Sequence, residues 1–217
     1  MILSGPEILR QIDLGNIRID PFDPKRVNPA SFDLTLGDYV AVYKGAVRYF
    51  VASSHPNADN GRALAPLELG ILDMARAQDV LRYKMTAKGW LLKPGIGYLM
   101  HTAETVYTQN YVPVLDGKSS IGRMFTKVHE TAGYGDPNFN GQYTLEVTVV
   151  HPVIVYPGMR IAQIRFHAME GATALYDGNY KGDNAKGPVP SRVWKQLQDE
   201  GLVDKRDSAW ATDNPLV

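Results

Sequence analysis

At 217 residues the chain is long enough for one domain with a substantial core and short for two. Its 23 Lys plus Arg balance 23 Asp plus Glu, which excludes a nucleic-acid protein that works by a broad basic surface but not a local cationic pocket. With no cysteine, disulfides and thiolate-ligated zinc are excluded, and a reducing cytoplasm is the simplest compartment.

MILSGPEILRQ has neither a basic region nor a long apolar run, so no signal peptide is expected. Nor does any apolar run approach the roughly 20 residues of a membrane span. Ser4, Pro6 and Glu7 read as N-cap, early helical proline and N3 acid. Ile8, Leu9, Ile12 and Leu14 supply an apolar stripe, so the pattern predicts a short helix within residues 4–15 that ends before Gly15. From Ile17 onward the period changes. FDLTL, YVAVY, GAVRYFVA, YLMHTAETVY, QYTLEVTVV, PVIVY and RIAQIRFHA alternate with Gly, Pro, Asn and Asp, the mark of an all-β sandwich or barrel. Val147–Val150 and Val153–Tyr156 flank His151-Pro152 and are expected to pair as a hairpin. Gly70 to Leu81 reads equally as a short helix or an irregular excursion. Beyond Gly178 the chain turns to Gly, Asp, Asn, Lys and Pro, which reads as a mobile arm rather than a packed element. Arg192 to Glu200 is a helical candidate, with Trp194 and Leu197 on one face.

Asp116 to Glu146 concentrates the chemistry, in the run DGKSSIGRMFTKVHETAGYGDPNFNGQYTLE. Ser119, Ser120, Lys118 and Arg123 are the hydroxyls and cations a polyphosphate needs, among glycines at 117, 122, 133, 135 and 141 that allow close backbone approach. Ser119 and Arg123 are four apart and share a helical face; the serines read equally as a helix N-cap. Alternation along QYTLEVTVV places Tyr143, Leu145, Val147 and Val149 on one face and Gln142, Thr144, Glu146 and Thr148 on the other. Glu146 on a polar, partly desolvated face is a candidate general base, or else an ordinary solvated strand residue. Asp136 reads as buried, although Asp-Pro-Asn is also strong turn chemistry. His129 and His151 read as structural histidines, and His129-Glu130 has no metal-ligand spacing.

GKSSIGR, TAGYGDPNFNG and TLE, taken with NPASFDLTLGD, PGMRIAQI and YKGDNAKGPVPS in that order, resemble the dCTP deaminases, the zinc-free branch of the trimeric dUTPase superfamily. The similarity spans roughly residues 1–192. It implies a mainly β fold: a dUTPase-like distorted β-barrel or jelly roll of many short strands with a short N-terminal helix. The domain would cover residues 1–191, with an arm over 178–191 and an extension over 192–217 that matches nothing in the family. The implied function is hydrolytic deamination of dCTP. The Thr131-Ala132-Gly133-Tyr134-Gly135-Asp136 run resembles the bifunctional type that goes on to cleave the triphosphate, giving dUMP, diphosphate and ammonia. The alternatives are a monofunctional deaminase that releases dUTP, a plain dUTPase, and a non-catalytic nucleotide-binding regulator.

By the same resemblance Glu146, Ser119, Arg123 and Asp136 form the catalytic group. Glu146 would activate the water that attacks C4; Asp136 would hold the 3′-hydroxyl or orient a water for diphosphate cleavage. Lys118, Ser120 and Gln163 would contact phosphates. Thr131, Ala132 and Gly133 would read the base by backbone, Tyr134 and Phe139 would wall the sugar–base pocket, and Tyr176 and Tyr180 would close over the nucleotide. Mg²⁺ would come with the phosphates, and no zinc and no protein metal site are expected. A cytoplasmic homotrimer is implied, with no nucleic-acid or membrane partner; dTTP is the nucleotide to test as a feedback ligand. Three departures stand out. Asn179 precedes Tyr180 where the family often has lysine, and the arm is longer around Asp183-Asn184-Ala185 and lacks the expected glutamine, leaving Lys181 or Lys186 as replacements. Asn138 replaces a turn glycine, a substitution that tolerates positive φ.

Overall fold

The computed structural model describes residues 1–44, 72–172, 174–180 and 187–202. They fall into two compact units, one of Met1–Val42 with Arg82–Val189, the other within Tyr43–Leu81 and Pro190–Val217. The first begins with helix α1 (Gly5–Asp13), whose N-cap Ser4 accepts from the Glu7 amide at 3.4 Å. The expected start is therefore met, but the Glu7 carboxylate does not reach back to the cap. It takes Arg10 at 2.6 and 2.8 Å and Gln11 at 2.7 Å instead. Gly15 ends the helix at φ 76°, a left-handed conformation suited to glycine. Ile8 is buried, whereas Leu14 is 59% exposed and stands outside the predicted stripe, because it caps the helix rather than facing the core.

The strands are β1 (Ile17–Asp20), β2 (Phe32–Thr35), β3 (Tyr39–Tyr43), β4 (Val80–Lys84), β5 (Trp90–Leu92), β6 (Tyr98–Thr108), β7 (Tyr111–Gly117), β8 (Thr126–Lys127), β9 (Asn140–Val149), β10 (Val153–Val155) and β11 (Arg160–Ala168). They form a sheet of order β4-β3-β6-β9-β8 with β1 also on β6, a sheet β2-β11-β7, and a pair β10-β5. The predicted runs thus become strands, except GAVRYFVA, which lies outside the described residues. The expected β9–β10 hairpin does not form. Both edges of β9 are already taken, by β6 and by β8, so β10 pairs with β5, Val153 opposite Leu92. Phe32, Leu34, Tyr98, Met100, Leu145, Ile161 and Phe166 fill the core.

Two polar groups are built into that core. Glu104 of β6 is fully buried, ion-paired with Arg26 of the 3-10 turn Pro24–Arg26, and accepts from the Thr35 amide at 2.9 Å and the Thr35 hydroxyl at 2.6 Å. Arg26 also donates to the Pro21 carbonyl at 2.8 Å and lies over the Phe32 ring. His101, equally buried, has Nδ1 against the Thr102 carbonyl at 2.8 Å and accepts at Nε2 from the Tyr39 amide at 3.2 Å. Its ring fills the space a side chain at Gly37 would need, which explains that glycine.

In the second unit, residues 72–79 form an irregular stretch with a turn, resolving the described part of the Gly70–Leu81 ambiguity. The helical candidate becomes α3 (Val193–Asp199 in chain order after α2, Ser119–Gly122). No helix among the described residues is long and apolar enough to cross a membrane.

Candidate active site

β9 shows the expected two faces. Leu145, Val147 and Val149 are buried, while Gln142, Thr144, Glu146 and Thr148 are half-buried. The Glu146 side chain is 38% exposed and meets His129 Nδ1 through Oε2. His129, read from sequence as structural, is instead the direct neighbour of the candidate base. Its signal was weak: the chain from Thr126 alternates buried and outward residues, which puts His129 on the same side as Lys127.

The cationic group lies at the end of β7 and the start of β11. Asp33 of β2, almost fully buried, accepts from Lys118 Nζ at 2.5 Å and Asn28 at 2.8 Å, and pairs with Arg160 Nη1 at 3.4 Å. Two cations therefore converge on one carboxylate, and Arg160 joins a group in which the sequence singled out only Lys118 and Gln163. Gln163 is tied to the same corner, donating to the Gly117 carbonyl at 3.1 Å and accepting from Ser31 at 3.4 Å. Helix α2 follows at once. Its N-cap is Lys118 without a side-chain cap bond, so neither serine caps the helix. Ser119, Ser120 and Arg123 are exposed and, among the described residues, their side chains have no protein partner. Nor does any hydrogen bond or ion pair join Arg123 or Ser119 to Glu146 among the described residues.

Residues 131–139 form an irregular loop. Asp136 is exposed, correcting the buried reading. The Phe139 amide bonds the Asp136 carbonyl at 3.3 Å, with Pro137 and Asn138 between them and Asn138 at φ 70°. That is turn geometry with proline at i+1 and a left-handed residue at i+2, and it keeps Asp136 at the surface. Asn138 adopts the positive φ expected of it. Thr131 and Ala132 are exposed, and Tyr134 is 68% exposed, so it walls no pocket within this chain. Gly133 has a packing reason of its own: its carbonyl accepts from the Leu115 amide at 2.6 Å, and a Cβ there would run into the Leu115 carbonyl. Phe139 does form a wall, 5.2 Å from Tyr143 and 6.0 Å from Tyr176 between ring centroids. Tyr143 is half-buried with its hydroxyl enclosed; burial, then the Asp136 charge, pushes that hydroxyl's pKa up, so it stays protonated.

Tyr176 fastens the near end of the arm, its amide on the Pro137 carbonyl at 3.2 Å and its hydroxyl accepting from the Tyr180 amide at 3.1 Å. The far end is packed, contrary to the mobile-arm expectation. Gly187 and Pro188 are buried, and the Gly187 and Val189 amides donate at 3.0 Å to Gln142 and Thr144, on the same strand face as Glu146. Lys181 and Lys186 lie outside the described residues.

A family model described as dCTP deaminase-like matches residues 2–169. A protein of Clostridium beijerinckii called "dCTP deaminase, dUMP-forming" is 39% identical over 91% of this chain and 99% of its own length. Proteins with the same description from Leptospira biflexa and Cytophaga hutchinsonii are 39% and 38% identical, again over 91% and 99%. Among solved structures, a 2′-deoxycytidine 5′-triphosphate deaminase from Agrobacterium tumefaciens aligns with TM-score 0.51 and 20% identity, over 77% of this chain and 48% of that one, a likeness of fold. Matched by the family model over most of its length and by relatives nearly end to end, the chain belongs to the dCTP deaminase-like family.

Proposed function

We propose that the protein deaminates dCTP and cleaves the resulting triphosphate, releasing ammonia, dUMP and diphosphate. The observation that carries this reading is Glu146: a half-buried carboxylate on the polar face of a core strand, with one oxygen held by His129 and the other without a protein partner among the described residues. Oε1 takes a proton from water. The water oxygen bonds C4 of cytosine and Glu146 passes the proton to N3; Glu146 then carries the remaining proton of the C4 hydroxyl to the amine, and the C4–N bond breaks as ammonia leaves and the C4 carbonyl of uracil forms. A second water then displaces diphosphate from the α-phosphorus, and the surface position of Asp136 leaves its carboxylate able to orient that water or the 3′-hydroxyl.

Ser119 holds the attacking water or the leaving amine. Arg123, Lys118 and Ser120 take phosphate charge, with Arg160, the other cation on Asp33, as a further positive group of that corner. The complete site forms between copies in a homotrimer, a reading that the lack of a hydrogen bond or ion pair between Arg123 and Glu146 among the described residues supports. Mg²⁺ fits as an ion carried by phosphate oxygens, since the described residues contain no group of three or more His, Cys, Asp or Glu side chains able to cage it. When bound it neutralises triphosphate charge. The reaction belongs in the cytoplasm, and dTTP, which shares the triphosphate and the pyrimidine edge, is the natural feedback ligand to assay.

Incubation with dCTP and Mg²⁺, with products resolved by chromatography beside Glu146→Gln, tests the reading. Formation of dUMP and diphosphate is expected, with the variant slower by about 10²- to 10⁴-fold. Release of dUTP alone would refute the dUMP-forming assignment, and no ammonia would refute deamination.

A further inference from the structure

The β8–β9 ladder pairs Thr126 with Val149 and Lys127 with Thr148. Continued for two residues, that register sets His129 opposite Glu146, where Nδ1 does meet Oε2. The neighbouring residue fastens the same segment: Thr148 donates its hydroxyl to Glu130 at 2.5 Å, and Lys127 Nζ lies 3.5 Å from the other Glu130 oxygen. Val128, between them, is buried and fixes which way the His129 ring leaves the chain. Only 12% of the His129 side chain is exposed, so the imidazole is held in place beside the carboxylate.

We propose that His129 is a positioning residue for Glu146, donating from Nδ1 to Oε2 so that Oε1 is the oxygen that receives the proton from water. The inference rests on the reading of Glu146 as the base. A glutamate side chain has three rotors to fix, and a base works only within hydrogen-bond reach of its proton. The other titratable groups around Glu146 are Lys127 and Glu130 on the β8 side, which pair with each other, and His101 on β6, buried opposite Thr144 in the register.

The test compares wild type, His129→Leu and His129→Asn in steady-state dCTP deamination, reading kcat and KM separately. Leucine keeps bulk without a donor; asparagine restores an amide N–H close to the Nδ1 position. His129→Leu is expected to lose roughly 10- to 100-fold in kcat with KM little changed. His129→Asn should recover most of that loss. Wild-type kcat in His129→Leu would overturn the proposal, as would His129→Asn performing no better than leucine. Should the leucine variant fail to fold, ¹⁵N NMR of the wild-type imidazole decides. A protonated Nδ1 whose signal shifts in Glu146→Gln supports the pairing, and one indifferent to that substitution overturns it. Failure of wild type to release ammonia would instead refute the proposed function, and the NMR comparison would still decide whether the pair exists.

Discussion

Glu104 and Glu146 sit on adjacent strands of one sheet, each beside a nitrogen base, and they have opposite fates. Glu104 is fully buried and spends its oxygens on Arg26, the Thr35 amide and the Thr35 hydroxyl. Glu146 is 38% exposed and has a single partner, His129. A carboxylate with both oxygens held by donors inside the core can only brace the fold. One with a held oxygen and an unclaimed oxygen at the surface can exchange a proton. The difference arises because β6 lies between β1, β3 and β9 with the 3-10 turn over it, whereas the polar face of β9 opens toward the loop and arm.

The contrast can be broken from either side. Glu146→Gln carries the largest effect, the loss of turnover stated above, and its melting temperature should stay near that of wild type. Glu104→Gln should do the reverse. It strips the charge partner from a buried guanidinium and is expected to cost about 3 to 5 kcal/mol of stability in denaturant unfolding. An unchanged unfolding midpoint would show that Arg26 finds another partner or water.

His101, the other polar group of the core, sharpens the comparison. Burial, more than any other influence, lowers its pKa. Below the ordinary imidazole value the unfolded chain takes up a proton that folded His101 refuses. Stability should therefore fall as pH drops from about 6.5 toward the lowered value, by at most about 1.4 kcal/mol per pH unit from this residue. His101→Asn should flatten the slope of melting temperature against pH in that window; an equal slope would assign the effect elsewhere. The smallest effect belongs to Lys84 and Asp38, 3.5 Å apart with side chains 67% and 44% exposed. Lys84→Ala should change stability by no more than about 1 kcal/mol, and less in high salt, as urea titrations can show.

The parts legible in the sequence were those set by neighbours along the chain. Ser4, Pro6 and Glu7 mark the start of α1 because capping is decided within one turn. The alternation of QYTLEVTVV puts Glu146 on a polar face because the strand period is two. The Asn138 turn follows from local φ preference. Motif order carried the family itself.

Local chemistry could not say who pairs with whom. Val147–Val150 and Val153–Tyr156 look like a hairpin, yet β9 has no free edge to offer, a fact set by β6 and β8. Asp136 reads as buried in the sequence, yet the turn it starts keeps it at the surface. Asp33 and Lys118 are 85 positions apart, and Ser31 and Gln163 are 132 apart, so their convergence depends on β2 and β7 flanking β11. His129 gained its place beside Glu146 from ladder register, which is a relation between strands. The sequence by itself determined the elements, their polar faces and the residue types fit for nucleotide chemistry, since those depend on periodicity and side-chain chemistry. Tertiary structure alone decided which carboxylate is saturated and which is left able to react, since that depends on what packs against each from distant parts of the chain.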